Sequence, residues 1–250
     1  MHTMKIPLPT ITSLPNSSAH DYPFQIGYRA QKFIAGAIFY YAFVDMAVGQ
    51  YVRQDAQAVE RIQAAFREKG LSTQSWEKNW SCFEYYLNAF PSPVFQNALF
   101  SMIMHWDWYI SRLGSFVEFA RAYVQGPPLD TKDEKVLQNI GFKGIAQQID
   151  ILSKATGLNF NFEPEVIASA TEMDLVRNLG THNQWEVDHR YLHRSLVKKW
   201  ALGDVREITS QELGEWRDSL GSIILETATA IAKLYNDAPT YLGNENSRGT

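Results

Sequence analysis

The sequence predicts an all-α protein, built as a multi-helix bundle with long antiparallel helices. Three observations carry that prediction. Apolar residues recur at steps of three, four or seven over long stretches, which is the spacing of one helical face. No clear run alternates between apolar and polar residues, as a half-buried strand would. Residue pairs with the spacing of helix-capping boxes precede two of the apolar patterns.

The chain divides by composition into three regions. Residues 1–23 are rich in proline and contain a polar "NSS" cluster, so we expect an N-terminal arm. Residues 24–236 carry all of the helical patterns and are predicted to form a single helical domain, since the chain is long enough to bury a sizeable core. Residues 237–250 are polar and are predicted to be a flexible C-terminal tail.

The first helical pattern begins at Pro23 and runs to Gly70, a residue type that adopts the left-handed end conformation without strain. Its most apolar part, residues 33–52, has about the length of a membrane span. Asp45 lies inside it, and an unpaired carboxylate is costly in lipid, so a buried helix of a soluble bundle is favoured. Asp45 is either the partner of a buried cation or a functional carboxylate.

An aromatic-rich segment, residues 76–90, precedes the second pattern, and no role is predicted for it. The second pattern predicts a long helix that stops before Gly126. His105 and Asp107 flank its apolar stripe and are predicted to be solvated or bonded to a neighbouring helix. The stripe alternates steps of four and three, which favours core packing over a base-stacking platform. Its members are Phe95, Leu99, Met102, Trp106, Tyr109, Leu113, Phe116 and Ala120.

The remaining long helices are predicted from start and stop signals. A capping box places a hydroxyl residue three positions before a glutamate, and proline is favoured in the first helical turn. The start signals are the boxes Thr131/Glu134 and Thr209/Glu212 and, between them, Pro164. The helix that starts at Thr131 is predicted to reach Lys154 and to end at Gly157.

Charge and cysteine content restrict the function classes. The formal net charge is −4, which argues against a broad basic surface that coats nucleic acid, so any RNA contact has to be local. Cys82 is the single cysteine, which rules out an intramolecular disulfide framework and fits a reducing compartment. Residues 1–23 contain no apolar run of the kind that a signal peptide requires. We therefore expect a cytoplasmic protein.

The stretch "RNLGTHN", residues 177–183, holds the candidate catalytic pair. Arg177 and His182 are five positions apart, so on an unbroken helix their directions differ by about 140°. Gly180 weakens the helix between them, and Asn183 tolerates the left-handed stop conformation. A bend at this point would let both side chains reach one cleft.

Such a pair has a specific chemistry. RNA carries its own nucleophile, the 2′-hydroxyl, beside each scissile phosphate. Histidine moves protons near neutral pH, and arginine stabilises the extra negative charge of the phosphorane. Asn178 and Asn183 are candidates to donate to phosphate oxygens or to orient the imidazole. Catalysis of this kind requires no metal and no cofactor, and its products are a 2′,3′-cyclic phosphate and a 5′-hydroxyl.

The motif resembles that of the HEPN superfamily, whose members are helical bundles with an Arg, polar, three-residue, His signature near the end of a late helix. The matching residues are Arg177, Asn178 and His182, followed by Asn183, Asp188, Tyr191 and Leu192. The resemblance implies a metal-independent endoribonuclease that acts as a homodimer with its two motifs facing each other. It also implies a role as a toxin or in anti-phage defence, with an antitoxin or another regulatory protein as a possible partner.

The neighbourhood of the motif is locally basic although the whole chain is acidic. These basic residues, between positions 177 and 199, either bind the phosphates of an RNA backbone or form the solvated face of a short helix. The sequence leaves both interpretations open. Its cations are Arg177, His182, His189, Arg190, His193, Arg194, Lys198 and Lys199, of which Arg190, Arg194 and Lys198 are candidate RNA contacts.

Two other interpretations use residues of this region. In the first, histidines and carboxylates bind a metal. Di-iron bundles need two Glu-x-x-His units, and this chain has one, so no metal is predicted. The residues concerned are His182, Glu186, Asp188, His189 and His193.

The second reading is a non-catalytic helical interaction or scaffold subunit. In it, Arg177 pairs with Asp174 or Glu172, and His182 caps a helix end. Burial of these side chains in a salt-bridged core would favour the scaffold, whereas exposure beside a basic groove would favour the nuclease.

Overall fold

The computed structural model describes residues 21–54, 92–121 and 129–236, together with positions 57, 60, 61, 64, 67, 68 and 123. Within these residues the chain forms α-helices and no β-strand, which confirms the all-α prediction. The helices are α1 (Asp21–Gln54), α2 (Ser92–Ala120), α3 (Thr131–Gln138), α4 (Ile145–Thr156), α5 (Pro164–His182), α6 (His189–Arg194) and α7 (Ser210–Leu234). A 3-10 turn, Ile140–Phe142, separates α3 from α4.

Helix α2 lies at the centre of the bundle and contacts α1, α3, α4, α5 and α7. The predicted heptad stripe is its buried face. Phe95 is half-buried, and the other members, from Leu99 to Ala120, are completely buried. Burial of each large apolar side chain stabilises the fold by about 1.5–3 kcal/mol. The core packing predicted for Trp106 and Tyr109 is therefore confirmed.

Close contacts tie α1 and α2 to α7. A Cβ added at Gly27 of α1 would lie 2.9 Å from Cγ2 of Ile224, so the glycine allows the two helices to approach. The amide of Gln31 donates to the carbonyl of Gly221 over 3.0 Å. The hydroxyls of Tyr109 and Thr227 are 2.7 Å apart inside the core. These polar contacts satisfy groups that burial would otherwise leave without partners.

Helix α1 begins at Asp21, two positions before the predicted start, and passes through Gly36 and Gly49 without a break. Within the described ranges, no helix is both long and apolar enough to cross a bilayer. Several predictions lie outside the described residues. They are the arm over residues 1–20, the side chain of Asp45, the stop at Gly70, the segment 76–90, the stop at Gly126 and the tail 237–250.

The single helix predicted from Thr131 to Lys154 is wrong, because α3 and α4 are separate helices. The capping box is also wrong. Thr131 is the first helical residue, and the cap is Asp130, whose Oδ1 accepts from the amide of Asp133 over 2.7 Å. The break follows from packing: Gly141 lies so close to Ser111 of α2 that a Cβ would have no room.

Three other boundary signals are confirmed. Gly157 ends α4 in the left-handed conformation, with φ 73°, and its amide donates to the carbonyl of Ser153 over 2.8 Å. Pro164 is the first residue of α5. Thr209 and Glu212 form both halves of the capping box of α7. These signals act over three or four residues, through capping hydrogen bonds and the fixed φ of proline.

Candidate functional site

The end of α5 carries the "RNLGTHN" motif, and the helix is continuous to His182. The helix therefore does not bend at Gly180, and the bend that would have brought both side chains into one cleft is absent. Asn183 follows as the C-cap with φ −138°, so it does not adopt the left-handed conformation that asparagine tolerates. The left-handed residues are the next two, Gln184 with φ 49° and Trp185 with φ 69°. The chain reverses one residue later than the sequence indicates.

Gly180 is needed for a close approach. The ring of Trp185 lies directly against it, and a Cβ at this position would overlap the ring. The amide of Trp185 also donates to the carbonyl of Leu179 over 3.1 Å. On its other side the indole makes an edge contact with Phe100 of α2, with ring centroids 5.5 Å apart. The turn after α5 is thus folded back onto the helix end.

Arg177 and His182 occupy different environments. Nη2 of Arg177 donates to Oδ1 of Asp174 over 2.6 Å, and these side chains are 28% and 12% exposed. Nε of Arg177 is buried without a hydrogen-bond partner. His182 is exposed at the last position of α5. Because the helix is unbroken, the two side chains leave it in directions about 140° apart, so they do not share one face.

The two asparagines of the motif are both partly buried. Nδ2 of Asn183 donates to the carbonyl of Glu186 over 2.6 Å, which closes the turn after the helix. Asn178 lies beside Arg177 on α5 and remains a candidate donor to a phosphate. The amide of Asn183, by contrast, is already engaged in the turn.

The residues after the motif form a folded connection between α5 and α7. Glu186 and Val205 make an isolated antiparallel bridge. Asp188 caps the short helix α6, since its Oδ1 accepts from the amide of Tyr191 over 2.7 Å. Tyr191 is buried and donates to the carboxylate of Glu172 on α5. Asp188 and Tyr191 therefore hold this connection against α5, the helix that carries the motif.

A buried ion network completes this connection. Arg206 is fully buried, and its Nη2 donates to Oε1 of Glu212 over 2.6 Å. Its Nε donates to the hydroxyl of Tyr191 over 3.1 Å, and its Nη2 lies 3.9 Å from Oε1 of Glu172. Burial opposes the charged form of Glu212, but the hydrogen bond and charge of Arg206 outweigh it and lower the pKa of Glu212. Burial and the bond to Glu172 raise the pKa of Tyr191.

The cations on and after α6 are exposed. Arg190 and Arg194 are exposed on α6 itself. Nζ of Lys198 donates to the carbonyl of Ser195 over 2.6 Å, so its charge is held near the end of α6. Lys199 lies over the ring of Trp200, with Nζ 5.0 Å from the centroid. The exposure of these side chains agrees with both interpretations of the segment, a surface that binds RNA phosphates and the solvated face of a short helix.

Asp107 of α2 belongs to the surroundings of Arg177. Burial raises the pKa of Asp107 to about 6, and the negative charge of Asp174 adds to the rise, whereas Arg177 and the amide of Gln148 oppose it. Gln148 is fully buried on α4, and its Oε1 accepts from Nε1 of Trp106 over 2.6 Å. Asp107 is thus half-buried, and groups of the neighbouring helices α5 and α4 act on its charge.

His105, the other flanking residue of the stripe, stacks on Phe33 of α1 with ring centroids 4.8 Å apart. Burial lowers the pKa of His105. The sequence alone did not link Asp107 or Arg206 to the motif. Asp107 lies far from the motif along the chain, and Arg206 belongs to no local sequence pattern. The only hint of Arg206 was its partner Glu212 in the capping box.

In the described part of the chain, no three His, Cys, Asp or Glu side chains are grouped so that they could hold a metal ion. The residues that suggested a metal reading of the sequence therefore do not form a ligand set. Comparison with protein-family models, with curated proteins and with solved structures finds no match.

Proposed function

We propose that this chain is a metal-independent endoribonuclease of the HEPN type, acting as a homodimer in the cytoplasm. The observation that carries the proposal is the exposure of His182 at the end of α5, followed in the chain by the exposed cations of α6. An exposed imidazole can meet a substrate, whereas a histidine of the core cannot. The proposed role in toxicity or anti-phage defence, under a regulatory protein, depends on this activity.

The reaction is a transesterification. The 2′-oxygen forms a bond to the phosphorus, the bond from phosphorus to the 5′-oxygen breaks, and one proton moves from the 2′-hydroxyl to a base while another reaches the 5′-oxygen. His182 is suited to these proton transfers near neutral pH. Arg177 supplies a permanently charged guanidinium for the phosphorane oxygens, and Asn178 a neutral donor. The products are a 2′,3′-cyclic phosphate and a 5′-hydroxyl.

A second copy of the chain resolves the geometric difficulty of the motif. Arg177 and His182 leave α5 about 140° apart, which argues against one molecule placing both on the same phosphate. Two-fold pairing along the ends of α5 would bring His182 of one copy towards Arg177 of the other, and would supply two imidazoles, one as base and one as acid. The unbroken helix thus supports a composite site.

The test is incubation of the purified protein with labelled single-stranded RNA in the presence of EDTA. We expect cleavage to products with 2′,3′-cyclic phosphate ends, a rate lowered by at least about 100-fold in His182→Ala and strongly lowered in Arg177→Ala. The matched control is His189→Ala, which removes another exposed histidine and should change the rate by less than about threefold. Intact RNA with the parent protein, or equal rates in the parent and His182→Ala, refutes the proposal.

A non-catalytic scaffold is the second candidate, and the ion pair between Arg177 and Asp174 favours it. In a scaffold, this partly buried pair contributes to stability, and breaking it costs about 1–3 kcal/mol. Urea denaturation of Arg177→Ala measures that cost. The scaffold is supported if the variant is destabilised while the parent protein leaves RNA intact.

A further inference from the structure

Two aromatic side chains, Phe100 and Trp185, form an aromatic pair beside the end of α5. Trp185 follows the helix by three residues, and Phe100 is on α2, which packs against α5. The ring centroids are 5.5 Å apart, and the ring planes make an angle of 62°. Phe100 is 37% exposed, and Trp185 is half-buried. The aromatic pair therefore reaches the surface of the protein, unlike the core aromatics of α2.

The backbone holds the indole of this pair against α5. Gln184 and Trp185 have φ angles of 49° and 69°, a left-handed conformation that a bulky side chain adopts only at a cost in free energy. The amide of Trp185 donates to the carbonyl of Leu179 over 3.1 Å, and its carbonyl accepts from the amide of Arg206 over 2.8 Å. The indole packs on Gly180, where an added Cβ would lie 2.8 Å from its Cε2. The ring is thus held at one place on α5 before any ligand binds.

This place is next to Arg177. The indole lies on Gly180, which follows Arg177 by three residues of an unbroken helix, and residues three apart are neighbours with Cβ atoms about 5–6 Å apart. His182 leaves α5 about 160° away from Gly180, on nearly the opposite side. Nη2 of Arg177 donates to Asp174, whereas its Nε has no hydrogen-bond partner. The aromatic pair therefore adjoins a guanidinium that retains an unpaired N–H group.

The exposed apolar surface beside the aromatic pair continues along α2. Met104 follows Phe100 by four residues, so the two side chains are neighbours on the helix, and Met104 is 59% exposed. Aromatic rings and a thioether sulfur both make favourable contacts with a flat aromatic ligand. A nucleotide combines such a ligand, its base, with an anionic phosphate, and Arg177 supplies a permanent cation for the phosphate. The surface therefore matches a nucleotide in both shape and charge.

We propose that Phe100 and Trp185 form a nucleobase-binding subsite, on which one unpaired base of the RNA stacks while the adjoining phosphate lies at Arg177. The inference rests on the proposed ribonuclease function and restricts its substrate to RNA with unpaired bases. In a duplex each base is covered by its neighbours on both faces, so only an unpaired base can turn onto the rings. Stacking uses the π-face that every base has, so the subsite does not select one base.

The experiment measures the Kd of a labelled single-stranded RNA hexamer by fluorescence anisotropy and compares it with an abasic hexamer, which has the same ribose phosphates and no bases. His182→Ala is the background protein, because it prevents cleavage. Adding Phe100→Leu keeps an apolar side chain but removes the ring. We expect it to raise the Kd of the intact RNA by about five- to thirtyfold and to leave the Kd of the abasic RNA unchanged. Phe100→Tyr keeps the ring and should stay within about twofold of the background.

The matched control is Phe24→Leu, which removes a phenyl ring of similar exposure, 36%. Phe24 lies in the first turn of α1, where Tyr22 stacks on Phe116 of α2. Phe116 is 16 residues along α2 from Phe100, a distance of about 24 Å. Phe24→Leu should change the Kd of both RNAs by less than about twofold. Far-ultraviolet circular dichroism verifies that each variant keeps the helicity of the background.

The outcomes separate the subsite from the proposed function, which is tested by cleavage with the parent protein. Weaker binding of the intact RNA alone in Phe100→Leu supports the subsite. Equal weakening of the intact and abasic RNAs overturns it, because Phe100 would then act through the fold. An unchanged Kd of the intact RNA, or a background protein that binds neither RNA, also overturns the subsite. Cleavage by the parent protein alongside any of these negative results leaves the ribonuclease proposal standing.

Discussion

The most direct test of the electrostatics around Arg177 is the stability of Asp107→Asn as a function of pH. Burial raises the pKa of Asp107 from 3.8 to about 6 in the folded protein. The folded state therefore holds the proton more tightly than the unfolded state does. The stability that this carboxyl contributes is fully present below about pH 4 and is lost as the pH rises to 6 and above.

The magnitude follows from the same pKa. At about 1.4 kcal/mol per pH unit, ionisation of a completely buried carboxyl with this pKa would cost about 3 kcal/mol. Asp107 is only partly buried, and water screens part of this cost, so about 1–2 kcal/mol is expected. Asparagine mimics the protonated carboxyl. The variant should be more stable than the parent by that amount at pH 7.5, and most of the gain should vanish at pH 4.5.

The assay is urea denaturation of the full chain, followed by far-ultraviolet circular dichroism at both pH values. The matched control is Asp150→Asn, which removes a carboxylate from the exposed pair with Lys154 and should change the free energy of unfolding by less than about 0.5 kcal/mol. A gain of the same size at both pH values would show that the charge of Asp107 is not its origin. A loss of stability at pH 7.5 would show that the interaction with Arg177 outweighs burial.

Two further predictions concern the connection after α5 and are measured by the same denaturation assay at pH 7.5. Arg206→Met should lower the free energy of unfolding by about 3–5 kcal/mol, because it leaves the carboxylates of Glu172 and Glu212 without their cation. The control Arg217→Met, at an exposed pair, should lower it by less than about 1 kcal/mol. Equal losses in the two variants would contradict the network. Gly180→Ala should destabilise by about 1–3 kcal/mol, because the methyl group displaces the ring of Trp185. Gly214→Ala, where the added Cβ meets nothing, should stabilise by about 0.5–1 kcal/mol, and a similar gain in Gly180→Ala would refute the close approach.

Features that depend on neighbouring residues were predictable from the sequence. The heptad stripe of α2 was recognised from its spacing, because residues that share a helical face are determined by the geometry of the helix alone. Pro164 and the box of Thr209 and Glu212 marked helix starts correctly for the same reason. The residue types of the motif also identified the chemistry open to it, although the activity itself remains a proposal.

Features that depend on distant residues were not predictable. The break between α3 and α4 occurs where Gly141 meets Ser111 of α2, which no local pattern indicates. The sequence suggested that Gly180 weakens the helix. In the structure the helix is unbroken, and the glycine leaves room for the ring of Trp185 to pack against it. In both cases a glycine has two local explanations, flexibility or lack of a side chain, and only the neighbouring atoms decide between them.

The sequence by itself determined the helical class, the starts of α5 and α7 and the placement of Arg177 and His182 near the end of a late helix, because periodicity and capping act within a few residues. The sequence also offered Asp174, one helical turn away, as a partner of Arg177, and the structure forms that pair. Only the tertiary structure decided that Asp107 acts on this pair from α2 and that His182 remains exposed. Electrostatic and packing energies depend on distance in space, and separation along the chain does not determine that distance.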